Sequence, residues 1–585
     1  MNSKYIKSLA LAGLVGFGLT SCEDFLDRPT KDTDTSSTFY QTDDQCYSGV
    51  NYLYNMPWFD VLRGYFQVEV LAGNLYMGDS PYLKFMVDGD AEDNVNMSNS
   101  LWAVVANTNT VYDNIKNSPA SAAAKNDCMG QCLIWKAMAY FYLVRSFGDV
   151  PLVHDNSALL AEGTYNELSK VNKSDVYEYI IMTLEKAMEL LPKSSAPGRI
   201  DYYCAEGLLS KVYLTKAGVS GSLNTDDLAK AAAYSKDVID NSGRTLMQNY
   251  EDIFRGSNNN SPESLLAWRW DVGSHWTSQN SLQSDLGMDG ICEVGSVWGG
   301  YNGPSVDLME AFGIVKIDGV GADSKIVEYQ SPNNRADIDT RRKATMMLPG
   351  DKYSYFWRDK GGLDYLKFLY DKDYNISAKG QLQSSSGCNT VKHIYGNTAD
   401  HVAEMGISDG RMASALATHI LRLADVYLVH AEAMTLMDRG TDPSALAAFN
   451  AVHQRAIPTA PAATSLTFDM IWKERRLEFA CEGDRWYDYV RRSYYDVQSC
   501  IDELKSQHRN ALWGCDGVYK AYYESNGTVW DIENSDIQYN SGDPVPNVTV
   551  NSFQLPFPIE DVALNPNVAS DAPSIHVDVR EVYSY

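Results

Sequence analysis

The chain has 585 residues, a formal net charge of −27 and 44% hydrophobic residues. This charge argues against nucleic acid and anionic membrane surfaces as partners, because both repel a negatively charged protein. The ligand is therefore expected to be neutral or cationic, and the 38 tyrosines and 12 tryptophans supply rings with an apolar face and a hydrogen-bonding edge.

The N-terminus has the pattern of an export signal. A positively charged start precedes an uncharged apolar run at 9–19, which is too short to span a bilayer. The run ends in LTSC at 19–22, which resembles a bacterial lipobox, so we predict a signal peptide at 1–21 and a lipid on Cys22. An ordinary signal peptide with an incidental cysteine is the alternative. A polar, flexible tether is predicted over 22–40, and the lipid is the only membrane attachment expected, because no later segment approaches 18 apolar residues.

Helical periodicity dominates the rest of the chain. Apolar residues recur every three to four positions in nine stretches. These stretches are 42–56, 101–117, 126–147, 173–191, 202–217, 226–240, 416–437, 443–456 and 467–495. Short turns join several neighbours, and small residues lie on their faces, which favours stacked helical hairpins of the tetratricopeptide type. A strict period of about 34 residues is not visible.

Long irregular regions at about 57–100, 241–300 and 345–412 separate these helices. Loops of that length are normally functional or disordered. Each region contains Trp or Tyr, and none contains a low-complexity tract. We therefore predict ordered loops that form a binding part on a helical scaffold.

The stretch WKERRLEFACEGDRWYDYVRR at 472–492 concentrates charges and rings. Glu478 and Glu482 lie one helical turn apart and could form a catalytic carboxylate pair. However, Arg475 precedes Glu478 by three residues and Glu482 precedes Arg485 by three, so each carboxylate has a cation within reach on a helix surface. A neighbouring arginine lowers a carboxyl pKa and keeps it ionised, whereas a general acid needs the opposite. The pattern therefore favours a structural helix.

Catalytic and metal-binding motifs are scarce. The sequence contains no GxSxG, HExxH or phosphate-loop pattern, although the two carboxylates of a glycosidase need not be close in sequence. Asp371, Asp373 and Asn375 alternate like metal ligands, but the rest of a calcium loop is missing. We predict a protein that is not an enzyme, with no catalytic residues and no cofactor, and a structural calcium ion stays an open alternative.

Six stretches resemble the SusD/RagB family of outer-membrane lipoproteins of Bacteroidetes, and they occur in the family's order. They are SCEDFLDRPT at 21–30, WKAMAYFYLVRSFGDVPLV at 135–153, GRIDYYCAEGLLSKVYLTKAG at 198–218, LRLADVYLVHAEAM at 421–434, KERRLEFACEGDRWYDYVR at 473–491 and FQLPFPIEDVALNPN at 553–567. The C-terminal tail after the last stretch is longer than the usual family ending.

The resemblance implies a fold and a function. The expected fold is mostly α, a single domain over 41–585 with about four tetratricopeptide-like helix pairs and less regular binding loops. Members of this family are non-catalytic glycan binders on the cell exterior, anchored by lipid to the outer membrane. They act as the lid of a SusC-like TonB-dependent transporter and deliver oligosaccharide or polysaccharide to it. The alternatives are a peptide-binding member of the family and a tetratricopeptide-type protein-interaction scaffold.

Two stretches combine aromatic rings with polar groups, as a neutral glycan site requires. They are AGNLYMGDSPYLKF at 72–85 and the loop over 271–303. In the family, the corresponding loops commonly line the glycan site. The candidate ligand-binding residues are Asn74, Asp79, Tyr82, Trp276, Trp298 and Tyr301. Trp102 opens a helical stretch and is assigned to packing, and the region with Tyr355 and Trp357 is the next candidate site.

Overall fold

The computed structural model describes residues 39–78, 80–291, 300–335, 337–540 and 546–585. The predicted signal peptide, Cys22 and nearly all of the tether lie outside these residues. Within the described ranges, no helix combines the length and apolar character that a membrane crossing requires.

The described residues are mostly helical, as predicted. The helices are α1 Asp43–Asn51, α2 Phe59–Leu71, α3 Glu92–Lys116, α4 Ala122–Phe147, α5 Asn156–Glu162, α6 Lys173–Leu190, α7 Tyr202–Lys216, α8 Thr225–Asn241, α9 Leu282–Leu286, α10 Val306–Ala311, α11 Arg341–Thr345, α12 Tyr365–Tyr370, α13 Thr398–Met405, α14 Leu423–Leu436, α15 Pro443–Ala456, α16 Phe468–Phe479, α17 Arg485–Ser506, α18 Cys515–Glu524, α19 Ile559–Leu564 and α20 Val579–Val582. The strands are β1 Leu75–Tyr76, β2 Ser264–Trp268, β3 Gly303–Pro304, β4 Val315–Asp318, β5 Lys325–Tyr329, β6 Met346–Met347, β7 Lys352–Tyr353, β8 Leu363–Asp364, β9 Asn389–Thr390, β10 Thr418–Arg422, β11 Leu512–Trp513 and β12 Gln538–Tyr539.

The long helices pack in a continuous series. In this series α2 contacts α3, α3 contacts α4, α4 contacts α6, and the series continues through α7, α8, α14 and α15. Short links join α3 to α4, α7 to α8 and α14 to α15, so each of these pairs is an antiparallel hairpin. The arrangement is compatible with the tetratricopeptide-like scaffold.

The structure corrects three helix predictions. The region 57–100 is not irregular throughout, because α2 and the first turns of α3 lie within it. The segment 416–422 contains strand β10 ahead of α14, and the stretch 467–495 is two helices instead of one. The chain breaks between α16 and α17 at Cys481 and Gly483, which have φ of +63° and +74°. Gly483 is required there, because a Cβ would lie 2.1 Å from the Tyr65 ring.

Short antiparallel strand pairs connect the three irregular regions. Strand β1 pairs with β3, β6 with β9, and β2 with β10, and β3 also lies against β9. Strands β1, β3, β9 and β6 therefore meet at one set of contacts, and β2 and β10 form a separate pair. Loops that are far apart in sequence are held in fixed relative positions.

The core is rich in tryptophan and contains thiols. Trp58 lies 5.5 Å from Trp135 and 5.4 Å from Trp268, measured between ring centroids, and all three are fully buried. Every cysteine among the described residues is free and buried. Burial raises the pKa of the Cys128 thiol to about 12, so this group stays protonated and unreactive in the folded state.

Most charges of the 472–492 stretch lie inside the protein. Glu478 and Glu482 are both buried, and one guanidinium, that of Arg422, contacts both carboxylates at 2.9 and 2.8 Å. Arg455 lies 2.6 Å from Glu478, and Lys392 lies 2.8 Å from Glu482. We call these five residues the Arg422 core. The interpretation of the stretch as structural agrees with this geometry.

The predicted ion-pair partners were wrong. Arg475 pairs with Asp425 and Asp488 at 2.7 and 3.0 Å instead of with Glu478. Arg485 stacks on a tryptophan ring and contacts Glu503. Opposite charges three residues apart were expected to pair on a helix surface. They do not, because these side chains point into the junction of several helices, where partners come from distant parts of the chain.

Burial and ion pairing act in opposite directions on these carboxyl groups. Burial alone would raise the pKa of Glu478, but Arg455, Arg422 and Arg341 together lower it to about 2. Burial likewise opposes ionisation of Glu482, and Arg422 and Lys392 lower its pKa. Both carboxylates are therefore charged at neutral pH, which excludes either as a general acid.

Candidate ligand-binding site

One stripe of α2 forms the floor of an aromatic and polar surface. Phe59, Arg63 and Gln67 are spaced by four residues, so their side chains lie on the same face of the helix. The stripe spans about 12 Å along the helix axis. Each of the three residues meets a group from a different segment of the chain.

Trp276 lies at the Phe59 end of this stripe. Its ring is 6.2 Å from the Phe59 ring in an edge-on arrangement, and 53% of the residue is exposed. A tight turn holds it, in which the His275 side chain accepts from the N–H of Thr277 at 3.3 Å and the Ser278 hydroxyl accepts from the N–H of His275 at 3.2 Å. The tryptophan is thus presented to solvent on a backbone that is already fixed.

Charged and amide groups occupy the middle of the stripe. The Arg63 guanidinium lies near Asp285 of α9, and Gln67 donates to Asp93 at 2.7 Å. Burial raises the pKa of Asp285 to about 6, and the nearby Arg63 opposes that rise. Gln67 also accepts from the Ser80 hydroxyl at 3.3 Å. Arg63 and Asp285 are partly exposed and can donate to and accept from ligand hydroxyls, whereas Gln67 is buried and positions Asp93 and Ser80.

Tyr301 lies just ahead of strand β3, which pairs with β1. Tyr76 pairs with Gly303, so the antiparallel register places Tyr301 beside the 77–78 backbone, which leads to Ser80. Gly300 has φ of +70° and its carbonyl accepts from Asn389 at 2.9 Å. Tyr301 is 58% exposed. A second aromatic ring is therefore presented to solvent from an anchored loop.

We call this surface the loop-face site. It consists of Phe59, Arg63, Gln67, Trp276, Asp285 and Tyr301. Sugar rings pack their C–H faces on aromatic side chains and direct hydroxyl groups to carboxylates, amides and guanidinium groups. Two exposed rings on anchored loops, together with polar groups, match that chemistry.

The other predicted site residues have different positions. Asn74 is fully buried, donating to Glu69 at 2.8 Å and accepting from Arg476 at 3.0 Å. Tyr82 is only 3% exposed, and burial raises its pKa. Neither side chain reaches the surface in this structure, and their contact with ligand stays a prediction. Asp79 and Trp298 lie outside the described residues, and their contact with ligand also stays a prediction.

The sequence patterns missed the polar middle of the site. Arg63 and Gln67 belong to α2, a helix buried on nearly every side, so its sequence lacks the contrast between apolar and polar faces that marks a helix. Asp285 lies in a predicted loop without any motif. The four-residue spacing of Phe59, Arg63 and Gln67 is the signal that could have identified this face.

One group of side chains in the described part of the chain has metal-ligand chemistry. Asp307, Glu310 and His508 lie close together, but Asp307 pairs with Arg476 at 2.5 Å and Glu310 pairs with His508 at 2.5 Å. The three residues are therefore close together because they form ion pairs.

Turn geometry explains the alternating residues that suggested a calcium ion. The Asp371 carboxylate accepts from the N–H groups of Asp373 and Tyr374 at 2.9 and 3.1 Å. The Asn375 side chain donates to the Phe368 carbonyl and accepts from the Ser377 N–H. The pattern of residues 371, 373 and 375 therefore follows from a capped turn.

Comparisons with known proteins agree with this structure. The family model described as the SusD family matches residues 262–573, and a model described as starch-binding associating with outer membrane matches residues 31–214. A SusD-like protein of Bacteroides ovatus is 31% identical over 93% of this chain and 94% of its own length. SusD-like protein P25 of Formosa agariphila is 21% identical over 94% of this chain and 95% of its own length.

Solved structures show the same fold. One, determined with xylogluco-oligosaccharide, has a TM-score of 0.74 and 27% identity, and the match covers 91% of this chain and 99% of that one. A SusD-like carbohydrate-binding protein of Bacteroides fragilis has a TM-score of 0.66 and 19% identity, with 91% and 100% covered. The matched models, the 31% identity and the helical fold together place this chain in the SusD family, a non-catalytic, carbohydrate-binding family associated with the outer membrane.

Proposed function

We propose that this protein captures a neutral oligosaccharide at the loop-face site on the outside of the outer membrane. The observation that supports this most directly is the pair of exposed rings, Trp276 and Tyr301, which are presented to solvent on anchored turns. Exposed tryptophan on a rigid turn gives contact area at low entropic cost, because the backbone is ordered before the ligand arrives.

The charges of the site favour a neutral ligand. Arg63 lies beside Asp285, and Asp93 lies on the other side of Gln67, so positive and negative groups are mixed along the stripe. An anionic glycan would meet two carboxylates and a protein of net charge −27. The hydroxyl groups of a neutral sugar can instead donate to Asp285 and accept from Arg63.

The similarity to a protein solved with xylogluco-oligosaccharide supports the ligand class. That protein shares 27% identity with this chain over nearly its whole length. Because glycan specificity depends on loop geometry, this identity supports a glycan ligand without fixing which glycan is bound.

The proposal includes a membrane anchor and a transporter. A lipid on Cys22 would hold the protein at the outer surface, and the protein would act as a lid that passes oligosaccharide to a SusC-like TonB-dependent transporter. The supporting observations are the LTSC sequence at 19–22 and the match to a family described as associating with the outer membrane.

Calorimetry on the full mature chain tests the ligand site. Xylogluco-, malto- and laminari-oligosaccharides and an unrelated peptide are titrated into the wild type. The double variant Trp276→Ala/Tyr301→Ala should lose binding, whereas Trp513→Ala should not. Trp513 is 49% exposed on β11 and serves as a control for the loss of a surface ring. Binding of the peptide alone would favour the peptide-binding alternative, and unchanged sugar binding by the double variant would place the site elsewhere.

Fractionation and affinity purification test the anchor and the transporter. Cys22→Ser should release the protein from the membrane fraction of a strain that lacks the transporter. Purification of the wild type from detergent-solubilised outer membrane should recover a TonB-dependent transporter in near-equal amount. Recovery of the lipoprotein alone under several mild detergents would contradict the lid role and favour the free-standing interaction scaffold.

A further inference from the structure

A second aromatic cleft lies between α3, the 151–168 segment and α19. Its volume is about 180 Å³. Trp102, Tyr165 and Phe557 contribute rings to its wall, and Asn99, Asn166 and Asp561 contribute polar groups. Aliphatic side chains form most of the remaining wall. None of these residues belongs to the loop-face site.

Trp102 is only partly a packing residue. Its ring contacts Tyr140 edge-on at 6.3 Å, as the packing assignment predicted, but the residue remains partly exposed and lines the cleft. In the part of the chain that the structure describes, no protein group accepts a hydrogen bond from its indole N–H. A large ring with an unused donor is thus available to a ligand.

The polar groups around Trp102 are also available. Asn99 and Asn166 are exposed, and neither side-chain amide has a hydrogen-bonding partner among the described residues. Asp561 accepts from Ser98 at 2.9 Å through one carboxylate oxygen, which leaves acceptor capacity on the other. Amides and a carboxylate beside two rings are the groups that orient a sugar.

The charged residues that line the cleft indicate which class of ligand it can bind. No lysine or arginine lines this cleft, and Asp561 is its single ionisable carboxylate. An anionic ligand would therefore meet a negative group without any compensating cation. A purely apolar ligand would leave the two asparagines and the carboxylate without hydrogen-bonding partners where it covers them. A neutral, polyhydroxylated ligand satisfies both the rings and the polar groups.

We propose that this cleft is a second saccharide-binding subsite that holds one ring, or the end of a chain, of a neutral oligosaccharide. The inference rests on the proposed glycan binding and adds a second location for it. The cleft is smaller than the roughly 300–1,000 Å³ of sites for drug-sized ligands, which limits the occupant to a short stretch. Two separate subsites would let the protein hold a long or branched glycan by avidity.

Fluorine NMR on the full mature chain labelled with 5-fluorotryptophan tests this subsite. The Trp102 and Trp276 resonances are assigned by the variants Trp102→Phe and Trp276→Phe. Xylogluco- and laminari-oligosaccharides are titrated into the wild type and into Trp276→Ala/Tyr301→Ala. The Trp102 resonance should shift saturably in both proteins, and Asn166→Ala should weaken that response about tenfold without lowering the unfolding temperature. Trp513→Phe is the matched control and should leave the Trp102 response unchanged.

The outcomes separate the two sites. If the Trp276 resonance shifts and the Trp102 resonance does not, the second subsite is wrong and the loop-face site stands. If only the Trp102 resonance shifts, the subsite stands and the proposed location of the main site fails. If no sugar moves either resonance, both proposals fail. If an alkyl chain or an apolar peptide moves the Trp102 resonance and no sugar does, the cleft is an apolar docking site and the proposal is overturned.

Discussion

The Arg422 core and the loop-face site both combine charges with aromatic rings, yet their groups have opposite surroundings. In the core, each carboxylate contacts several cations and is shielded from water. At the loop-face site, two rings are more than half exposed and the charged groups have few direct partners. A dense cluster of charges in a sequence therefore does not identify the functional site. Exposed groups with unused hydrogen-bonding capacity identify it.

The largest effect should come from removing the shared cation of the core. Arg422→Ala removes the guanidinium that Glu263, Glu478 and Glu482 share, and removing one partner of a buried ion pair costs about 3–5 kcal/mol. The free energy of unfolding, measured with denaturant, should fall by that amount while the folded fraction still binds glycan. Lys236→Ala, which removes an exposed ion pair with Asp240, is the control and should change stability by less than about 0.5 kcal/mol. Lost binding with unchanged stability would contradict the structural role.

Measuring the free energy of unfolding as a function of pH tests the structural role of the Arg422 core further. The pKa of Glu478 is lowered to about 2 in the folded state, compared with about 4.3 in an unfolded chain. Its contribution to stability is therefore complete above about pH 4.3 and is lost as pH falls toward 2. Glu478→Gln should lower stability at pH 7 by roughly 2–3 kcal/mol and should flatten the acid-dependent decline. A variant with the same acid profile as the wild type would show that other groups govern it.

Removing an exposed ring should lower ligand affinity and leave stability nearly unchanged. Trp276→Ala should reduce oligosaccharide affinity about ten- to hundredfold, which corresponds to roughly 1–3 kcal/mol. The unfolding temperature should be nearly unchanged, because half of the residue is already in water. Calorimetry and thermal unfolding on one preparation measure both quantities. A large loss of stability would show that Trp276 is a packing residue, and the contrast between the Arg422 core and the loop-face site would be wrong.

The smallest effect concerns Asp285, where stability and binding should move in opposite directions. Burial raises its pKa to about 6, so the wild type loses stability as pH rises from about 4 to 6 and the carboxylate ionises. The shift of about two pKa units corresponds to at most about 3 kcal/mol, and water at the partly exposed carboxylate screens much of this. Asp285→Asn should therefore increase the free energy of unfolding at pH 7 by about 1 kcal/mol and reduce glycan affinity severalfold. At pH 4 the stability difference should vanish. A variant that is less stable at pH 7 would show that Asp285 is a structural residue.

The sequence predicted the helical scaffold well because amphipathic helices repeat their apolar face. Helices α6, α7 and α15 end within one residue of the predicted stretches. The sequence did not predict α2, because its buried surroundings remove the periodic contrast between apolar and polar faces. It also did not predict the break between α16 and α17, because this break depends on Gly483 fitting against a tyrosine 418 positions earlier in the chain. Contacts between distant segments have no local signal.

The same reason limits the prediction of the site. Trp276 and Tyr301 could be singled out because an aromatic residue in a polar loop is hard to explain as core. Tyr82 satisfied the same rule, yet it is buried. Asn74 from the same stretch is also buried, between Glu69 and Arg476, a residue 402 positions later in the chain. Arg63 and Asp285 join the site only through the packing of α9 near α2.

The buried thiols give this molecule an internal reporter of opening. Because the described cysteines are free and inaccessible in the folded state, an alkylating reagent can reach them only when the surrounding helices separate. In a variant that lacks Cys22 and Cys292, the rate of alkylation would measure how often the scaffold opens. Identifying the modified cysteines by mass spectrometry would show which helical hairpin separates first, and repeating the measurement with glycan would show whether the ligand slows that motion.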